Sequence, residues 1–194
     1  MLRTVATSRQ VRVTMLIGAA TMAVFTLFWT GITFLLSAAP YSFTATQIGL
    51  VGLLGVAGVA GAVAAMRAGR LYDRGDSLPA IGIGLLVALV ALVVAGLGVG
   101  TLAAVLIALE IFSIGVQSVQ VLLQTRMVSI DPAARSRLNT VLVVVNFIGG
   151  TIGSALAGLV WPLGGWTGVM ITGAVILGIA LTIWFAHRTR ALAV

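Results

Sequence analysis

The residues most able to do chemistry in this sequence stand on one face of a single apolar segment. Glu110 is the only acidic residue within any of the long apolar runs, about ten residues from the start of its own run. Four uncharged polar residues follow it, namely Ser113, Gln117, Gln120 and Gln124. At about 100° per residue of helix, the five side chains fall within an arc of about 80°. Such a polar stripe either bonds membrane helices together or lines a water-filled cavity.

Glu110 is the candidate for proton chemistry. A charged carboxylate near the middle of a bilayer is costly, so we expect Glu110 to carry a proton during part of a working cycle. We interpret Glu110 as a proton-coupling residue, and Ser113, Gln117 and Gln120 as the lining of a cavity for a small-molecule substrate. The alternative is a neutral, structural Glu110 that is hydrogen-bonded to a neighbouring helix.

Polar and aromatic residues in other apolar runs could complete such a cavity. Trp29 lies inside the first run, where substrate contact and lipid contact are both open. Asn139 and Asn146 are seven residues apart and share one face of the fifth run. Interhelical hydrogen bonding is the first interpretation for both, and cavity lining by Asn146 is the second. His187 is interpreted as a flanking residue beside Arg188.

These side chains must be positioned by membrane helices, because the composition excludes a soluble domain. Of the 194 residues, 60% are hydrophobic and 8% are charged, whereas about 25% are charged in a typical soluble domain. A helix needs about 20 apolar residues to cross the hydrocarbon core. The sequence contains six such runs: Val13–Leu36, Thr46–Met66, Leu78–Gly98, Thr101–Thr125, Leu138–Val160 and Thr167–Ala186. They are apolar without alternation, which predicts an all-α membrane protein of six transmembrane helices.

The arginines predict the orientation of these helices. All 11 basic residues are arginines. With six spans, every arginine falls on one side of the membrane, and that side is cytoplasmic by the positive-inside rule. The predicted organisation is a cytoplasmic basic segment over residues 1–12, a six-helix bundle over 13–186 and a cytoplasmic tail over 187–194. The partner of this surface is therefore the lipid bilayer, and nucleic-acid binding is excluded because the charge forms no basic face.

Two of the runs carry faces of small residues. The second run contains Gly49 and Gly52 within a longer glycine series, and the fifth contains Gly149 and Gly153. Small residues let helix backbones approach closely, which matters in lipid because no hydrophobic effect drives helices together. Packing within the six-helix bundle is one interpretation of these faces. The other is contact with a second six-helix half or with a homodimer mate.

The segment between the second and third runs resembles a known signature. Gly69, Arg70, Leu71, Asp73 and Arg74 match the loop motif Gly-x-Leu-x-Asp-Arg of the major facilitator superfamily, although Asp76 and Ser77 depart from its usual basic tail. Similarity to bacterial efflux permeases of that superfamily continues through Phe28–Ser37, Gln47–Leu50, Arg135–Asn139, Asn146–Gly150 and Gly165–Trp166. The match is to the C-terminal six helices of a protein normally built from twelve.

This resemblance implies a fold and a function. The fold would be half of a major facilitator, with two triplets of helices as inverted repeats. The function would be export of a small organic solute by proton antiport, through the inner membrane, with the loop motif latching one conformation. Met1 would then fall near the central cytoplasmic loop of a full-length relative. No cofactor and no metal ion are expected.

Two other classes of function are weighed against transport. An intramembrane enzyme would need a nucleophile and base or a metal site, and the chain has one histidine and no cysteine. A non-transporting remnant, or a subunit that associates with another transporter half, remains open because alternating access requires two bundles.

Overall fold

The fold is a bundle of long helices in a computed structural model that describes residues 8–56, 77–98 and 100–188. The described helices are α1 (Arg9–Ser37), α2 (Ala45–Val56), α3 (Ser77–Leu97), α4 (Leu102–Ile130), a short 3-10 helix (Pro132–Ala134) and α5 (Arg135–His187). Within these ranges α1, α3, α4 and α5 are long and apolar enough to cross a membrane. The described part of the chain contains no strand, which agrees with the predicted all-α class.

The helix ends follow local hydrogen-bonding rules. Ser8 caps α1, and its Oγ accepts a hydrogen bond from the Val11 amide at 3.4 Å. Asp131 ends α4, and its carboxylate accepts from the Ala133 amide at 3.0 Å. Pro132 follows at the start of the 3-10 helix, where the missing amide hydrogen removes no needed bond. The connection between α4 and α5 is therefore a tight, capped turn.

Helix α5 turns back on itself at Gly165. Its 53 residues would be about 80 Å long as one straight helix, far more than the roughly 30 Å of a hydrocarbon core. Gly165 has φ 53° and ψ −145°, which is not helical. Pro162 precedes it inside the helix. The break divides α5 into an N-terminal arm, residues 135–164, and a C-terminal arm, residues 166–187.

Contacts with α1 show that the two arms run in opposite directions. Along the N-terminal arm, Ser154 bonds Thr30 at 3.1 Å, and the Trp161 ring stacks near Phe34, with 5.4 Å between centroids. Along the C-terminal arm the order is reversed. Gly173 packs near Val24 and Leu27, and His187 approaches Arg9 at 3.0 Å. The chain therefore runs along α1 and returns.

An aromatic cluster occupies the middle of the core. The Phe28 ring lies 4.6 Å from that of Phe112 and 5.7 Å from that of Trp166. The indole Nε1 of Trp166 donates to the Ala95 carbonyl oxygen at 2.9 Å, so the core joins α1, α3, α4 and α5. Outside this core, large apolar side chains such as Ile83, Leu163 and Ile171 are exposed. That outer surface suits lipid and does not suit water.

The described arginines gather at one end of the bundle. Val11, Met127, Leu138 and Leu142 form one apolar cluster, which brings the start of α1, the end of α4 and the start of α5 together. The contact between Arg9 and His187 adds the end of α5. A bond of 2.7 Å from Arg126 to Ser77 adds the start of α3. The helix ends that carry arginine are therefore neighbours.

The predicted spans differ from the helices mainly at their ends. Helix α1 begins at Arg9, before Val13, and α4 continues to Ile130, beyond Thr125. Backbone hydrogen bonds continue past the last apolar residue, so hydropathy underestimates helix length. The predicted loop between the fifth and sixth spans is helical on both sides of Gly165. Helix α2 begins the second predicted span, and the rest of that span lies outside the described residues.

Candidate functional site

Gln120 joins three helices, and it lies in the half of the polar stripe that is nearer the arginine-rich end of the bundle. Its Nε2 donates to the Gly18 carbonyl oxygen of α1 at 3.1 Å. Its Oε1 accepts from Nδ2 of Asn146, on the N-terminal arm of α5, at 2.9 Å. A Cβ on Gly18 would lie 2.7 Å from the Asn146 Oδ1 atom, so glycine gives the two amides room to meet. Gln120 and Asn146 are thus brought together as an interhelical bond.

A second amide pair lies closer to the arginine-rich end. Gln124 Nε2 donates to Asn139 Oδ1 at 2.9 Å. Both side chains line an open cavity of about 470 Å³ between α4 and α5, which Arg135 and Ser136 also line. Asn139 and Asn146 are seven residues apart on α5, and their partners Gln124 and Gln120 are four residues apart on α4. Asn139 and Asn146 therefore both make interhelical hydrogen bonds.

The remaining part of the stripe has no such partners. Glu110 is half-buried, Ser113 is buried and Gln117 is exposed. Ser113 Oγ has no hydrogen-bond partner, and within residues 8–56, 77–98 and 100–188 no hydrogen bond or ion pair reaches the Glu110 carboxylate. Buried polar groups normally find a partner. The arrangement leaves a carboxylate, a hydroxyl and an amide available to water, a proton or a bound solute.

Trp29 is half-buried on α1, and it lies close to α2. Its ring meets that of Phe25 edge-on, with 6.2 Å between centroids, and a Cβ on Gly52 would lie 3.9 Å from it. The indole Nε1 is buried without a hydrogen-bond partner. Among the described residues no hydrogen bond joins Trp29 to the polar stripe. Its unused N–H could donate a hydrogen bond to a bound solute.

The small-residue faces divide between two environments. Gly149 and Gly153 lie against the α1 backbone, where an added Cβ would overlap the carbonyl oxygens of Ala19 and Ala23. These two glycines therefore pack within the chain. A Cβ on Gly49, in contrast, would meet no atom of the described residues within 4 Å.

The loop motif Gly69, Arg70, Asp73 and Arg74 lies outside the described residues. The last residue of its departing tail is described: Ser77 is buried and accepts a hydrogen bond from Arg126 Nη1 at 2.7 Å. The positive-inside pattern places Arg126 with the other arginines on one side of the membrane, and it does not predict the burial of this side chain. Its place within the helix, five residues before the Asp131 cap, is the signal that could have revealed it.

Sequence reasoning also missed polar contacts made by α1. Thr26 Oγ1 donates to the Gly150 carbonyl oxygen at 2.6 Å, and Thr30 bonds Ser154 at 3.1 Å. The spacing of four residues between Thr26 and Thr30 places them on one helix face, which was the available signal. These two contacts show that α1 is hydrogen-bonded to the N-terminal arm of α5.

Comparison with known proteins gives a relationship to transporters. No protein-family model matches the chain. Over 178 residues, it is 38% identical to a protein of Escherichia coli K12 and to one of E. coli O157:H7, both named uncharacterized transporter YgaY. The aligned part is 91% of this chain and 44% of each relative, so the chain spans less than half the length of these proteins. The similarity and the apolar helices together support a multi-pass membrane protein that is similar to transporters.

Proposed function

We propose that this chain is the six-helix half of a secondary transporter of the major facilitator type, which exports a small organic solute by proton antiport. Its similarity to transporters, over 44% of their length, supports the half-transporter assignment. The two arms of α5, the three other membrane-length helices and the span that begins with α2 would make six crossings as two inverted triplets.

The membrane orientation follows from the arginine-rich end. Because cytoplasmic segments are enriched in basic residues, this end would face the cytoplasm of a bacterial inner membrane. Both ends of the six-helix unit would then be cytoplasmic. The uncharged connections near Tyr41 and Gly165 would face the other side.

The observation that carries the functional proposal is the unpartnered polar face of Glu110, Ser113 and Gln117. A carboxylate in the middle of a membrane helix, without a bonded cation among the described residues, has few structural purposes. It can bind a proton reversibly. An exposed amide about two turns away, at Gln117, indicates that this face meets water or a polar partner rather than lipid.

The chemistry would be an exchange of a proton and a solute. From the outer side, a proton binds a carboxylate oxygen of Glu110 and neutralises it. After the bundle reorients, the same proton leaves to the cytoplasm and restores the carboxylate. Solute binds on the cytoplasmic-facing side, with Ser113, Gln117, Trp29 and Gln120 as candidate hydrogen-bonding groups, and it leaves on the other side.

Alternating access also requires a second bundle. Among the described residues, no atom lies within 4 Å of a Cβ on Gly49, and Gln117 is exposed. A second six-helix half, or a second copy of the chain, would cover these two positions. A subunit that associates with another transporter half without transporting is the other candidate. The chain covers 44% of each relative, which is also what such a non-transporting subunit would show.

The test is proton release driven by solute gradients in everted membrane vesicles. The chain is expressed alone and together with a six-helix half from a YgaY-type transporter, and a panel of organic solutes is screened by a pH-sensitive dye. Glu110→Gln should reduce the solute-driven proton flux to the level of vesicles without the chain. Asp131→Asn removes a carboxylate at the end of α4 and should retain the flux, so it is the matched control.

Two results would contradict the proposal. Undiminished solute-driven proton flux in Glu110→Gln would remove Glu110 from the coupling. If neither preparation shows solute movement or proton flux, the non-transporting subunit is favoured.

A further inference from the structure

A concave apolar groove lies on the outer surface between the start of α3 and the end of α5. It encloses about 560 Å³, and its walls include Leu78, Gly82 and Leu86 of α3 with Trp184, Phe185 and Arg188 of α5. Its volume is within the range of about 300–1,000 Å³ that is typical of small-molecule sites. None of these residues belongs to the polar stripe, so this α3–α5 groove is separate from the proposed transport path.

Trp184 forms one wall of the groove and is held there by two contacts. Its Nε1 donates to the Leu78 carbonyl oxygen at 3.1 Å. A Cβ on Gly82 would lie 2.5 Å from two carbon atoms of the indole ring, so only glycine lets the ring approach α3 this closely. The groove is therefore a packed feature of the α3–α5 contact.

Arg188 stands at one end of the groove. Its guanidinium carbon lies 5.5 Å from the centroid of the Trp184 indole and 4.3 Å from that of the Phe185 ring. Stacking on aromatic faces leaves the guanidinium N–H groups in plane, where they can donate to a phosphate. Helix α3 begins at the same end, and the electropositive end of its dipole adds to the positive potential. None of the described residues that line the groove is acidic.

The depth of the groove matches one leaflet of a bilayer. From Leu78 to Leu86, α3 rises about 12 Å, and half of a hydrocarbon core is about 15 Å. Ile83 and Leu86 on this wall are 62% and 50% exposed, so the groove opens toward lipid. A cation at the membrane surface, followed by an apolar channel of one leaflet in depth, is complementary to a lipid with a negative headgroup.

We propose that the α3–α5 groove binds an anionic phospholipid of the arginine-rich leaflet. The lipid phosphate accepts hydrogen bonds from Arg188, and one acyl chain lies along Gly82 and Leu86 against the Trp184 indole. Bound there, the lipid bridges α3 and the C-terminal arm of α5.

The test measures binding of phosphatidylglycerol and phosphatidylcholine to the purified full chain by native mass spectrometry. The first phosphatidylglycerol should bind about fivefold more tightly than the first phosphatidylcholine, from the attraction of one arginine for an anionic lipid. Arg188→Gln should abolish this preference. Arg137→Gln removes an exposed arginine outside the groove and should retain it.

A second variant separates the acyl site from the charge. Leu86→Trp fills the groove and keeps Arg188, so it should weaken phosphatidylglycerol binding, while excess inorganic phosphate should not displace the lipid. The proposal is overturned if the unaltered chain shows no preference between the two lipids or if Arg137→Gln loses the preference as Arg188→Gln does. It is also overturned if Leu86→Trp binds phosphatidylglycerol like the unaltered chain.

Discussion

Gln120 shows how a single side chain can fix the positions of three membrane helices. Its amide uses one end to bond the Gly18 carbonyl oxygen and the other to bond Asn146. Interhelical hydrogen bonds in membrane proteins contribute about 0.6 kcal/mol on average and up to about 1.7. Two such bonds from one amide make Gln120 the most connected residue of the polar stripe.

Replacing Gln120 by leucine should therefore destabilise the bundle. Gln120→Leu removes both bonds and leaves the Asn146 amide buried with no acceptor, so we expect a loss of about 1–3 kcal/mol in the free energy of unfolding. Denaturation in mixed detergent micelles measures it. Gln117→Leu, the same change at an exposed position of the same helix, should cost much less, and equal losses would show that Gln120 has no special role.

The coupling between Gln120 and Asn146 can be measured separately. In a double-mutant cycle with Asn146→Leu, the two changes should be non-additive by about 0.6 kcal/mol or more, because either change alone breaks the shared bond. Additive losses would mean that the bond contributes nothing measurable to stability.

The sequence predicted which residues form the polar stripe but not which of them pair. Periodicity places Gln120 and Asn146 on polar faces of their own helices. Pairing depends on the register between α4 and α5, which long-range packing sets, and on Gly18, a residue with no polar side chain. Periodicity also could not predict that no described residue forms a hydrogen bond with Glu110, Ser113 or Gln117.

At the scale of helices, the closest approach is between α1 and the N-terminal arm of α5. Gly153→Ala would place a Cβ against the Ala23 carbonyl oxygen, so the two backbones must separate. We expect a loss of about 1–3 kcal/mol in the free energy of unfolding. Gly158→Ala, where a Cβ meets no atom within 4 Å, is the matched control and should be neutral. Comparable losses in both variants would contradict the close helix contact.

The reversal of α5 depends on the backbone of Gly165. Its φ of 53° with ψ of −145° is a conformation that residues with a Cβ rarely adopt. Gly165→Ala should lower the free energy of unfolding by about 1–3 kcal/mol. Gly164→Ala, one residue earlier and with open space for a Cβ, should cost little. A harmless Gly165→Ala would contradict the position of the turn.

Hydropathy predicted the long helices well because twenty apolar residues have few alternatives in a membrane. It misplaced the ends of α1 and α4, where charged residues continue the helix beyond the apolar run. It could not identify Gly165 as the turning residue, since composition carries no information on a dihedral angle. The sequence predicts a packing face at residues 149 and 153, but only the structure shows that α1 is its partner.

At the scale of the whole molecule, the bundle has distinct surfaces. One end gathers the described arginines, and most of the outer surface is apolar. One face carries Glu110, Ser113 and Gln117 with no protein partner among the described residues. Such a face is costly against lipid, so it must meet water or another bundle. By resemblance alone, the sequence predicts half of a larger transporter. The second half cannot be identified from this sequence, because its residues would belong to another chain or segment.

The most direct test is whether water reaches this face in the membrane. The chain has no cysteine, so single cysteines can be introduced without further changes. Gln117→Cys should react with a membrane-impermeant thiol reagent in intact inner-membrane vesicles. Ile111→Cys, at a position that is also exposed in the structure (42%) but lies about 120° away around the helix, should not react. Reaction of Ile111→Cys at the same rate, or no reaction of Gln117→Cys, would contradict a water-filled path along α4.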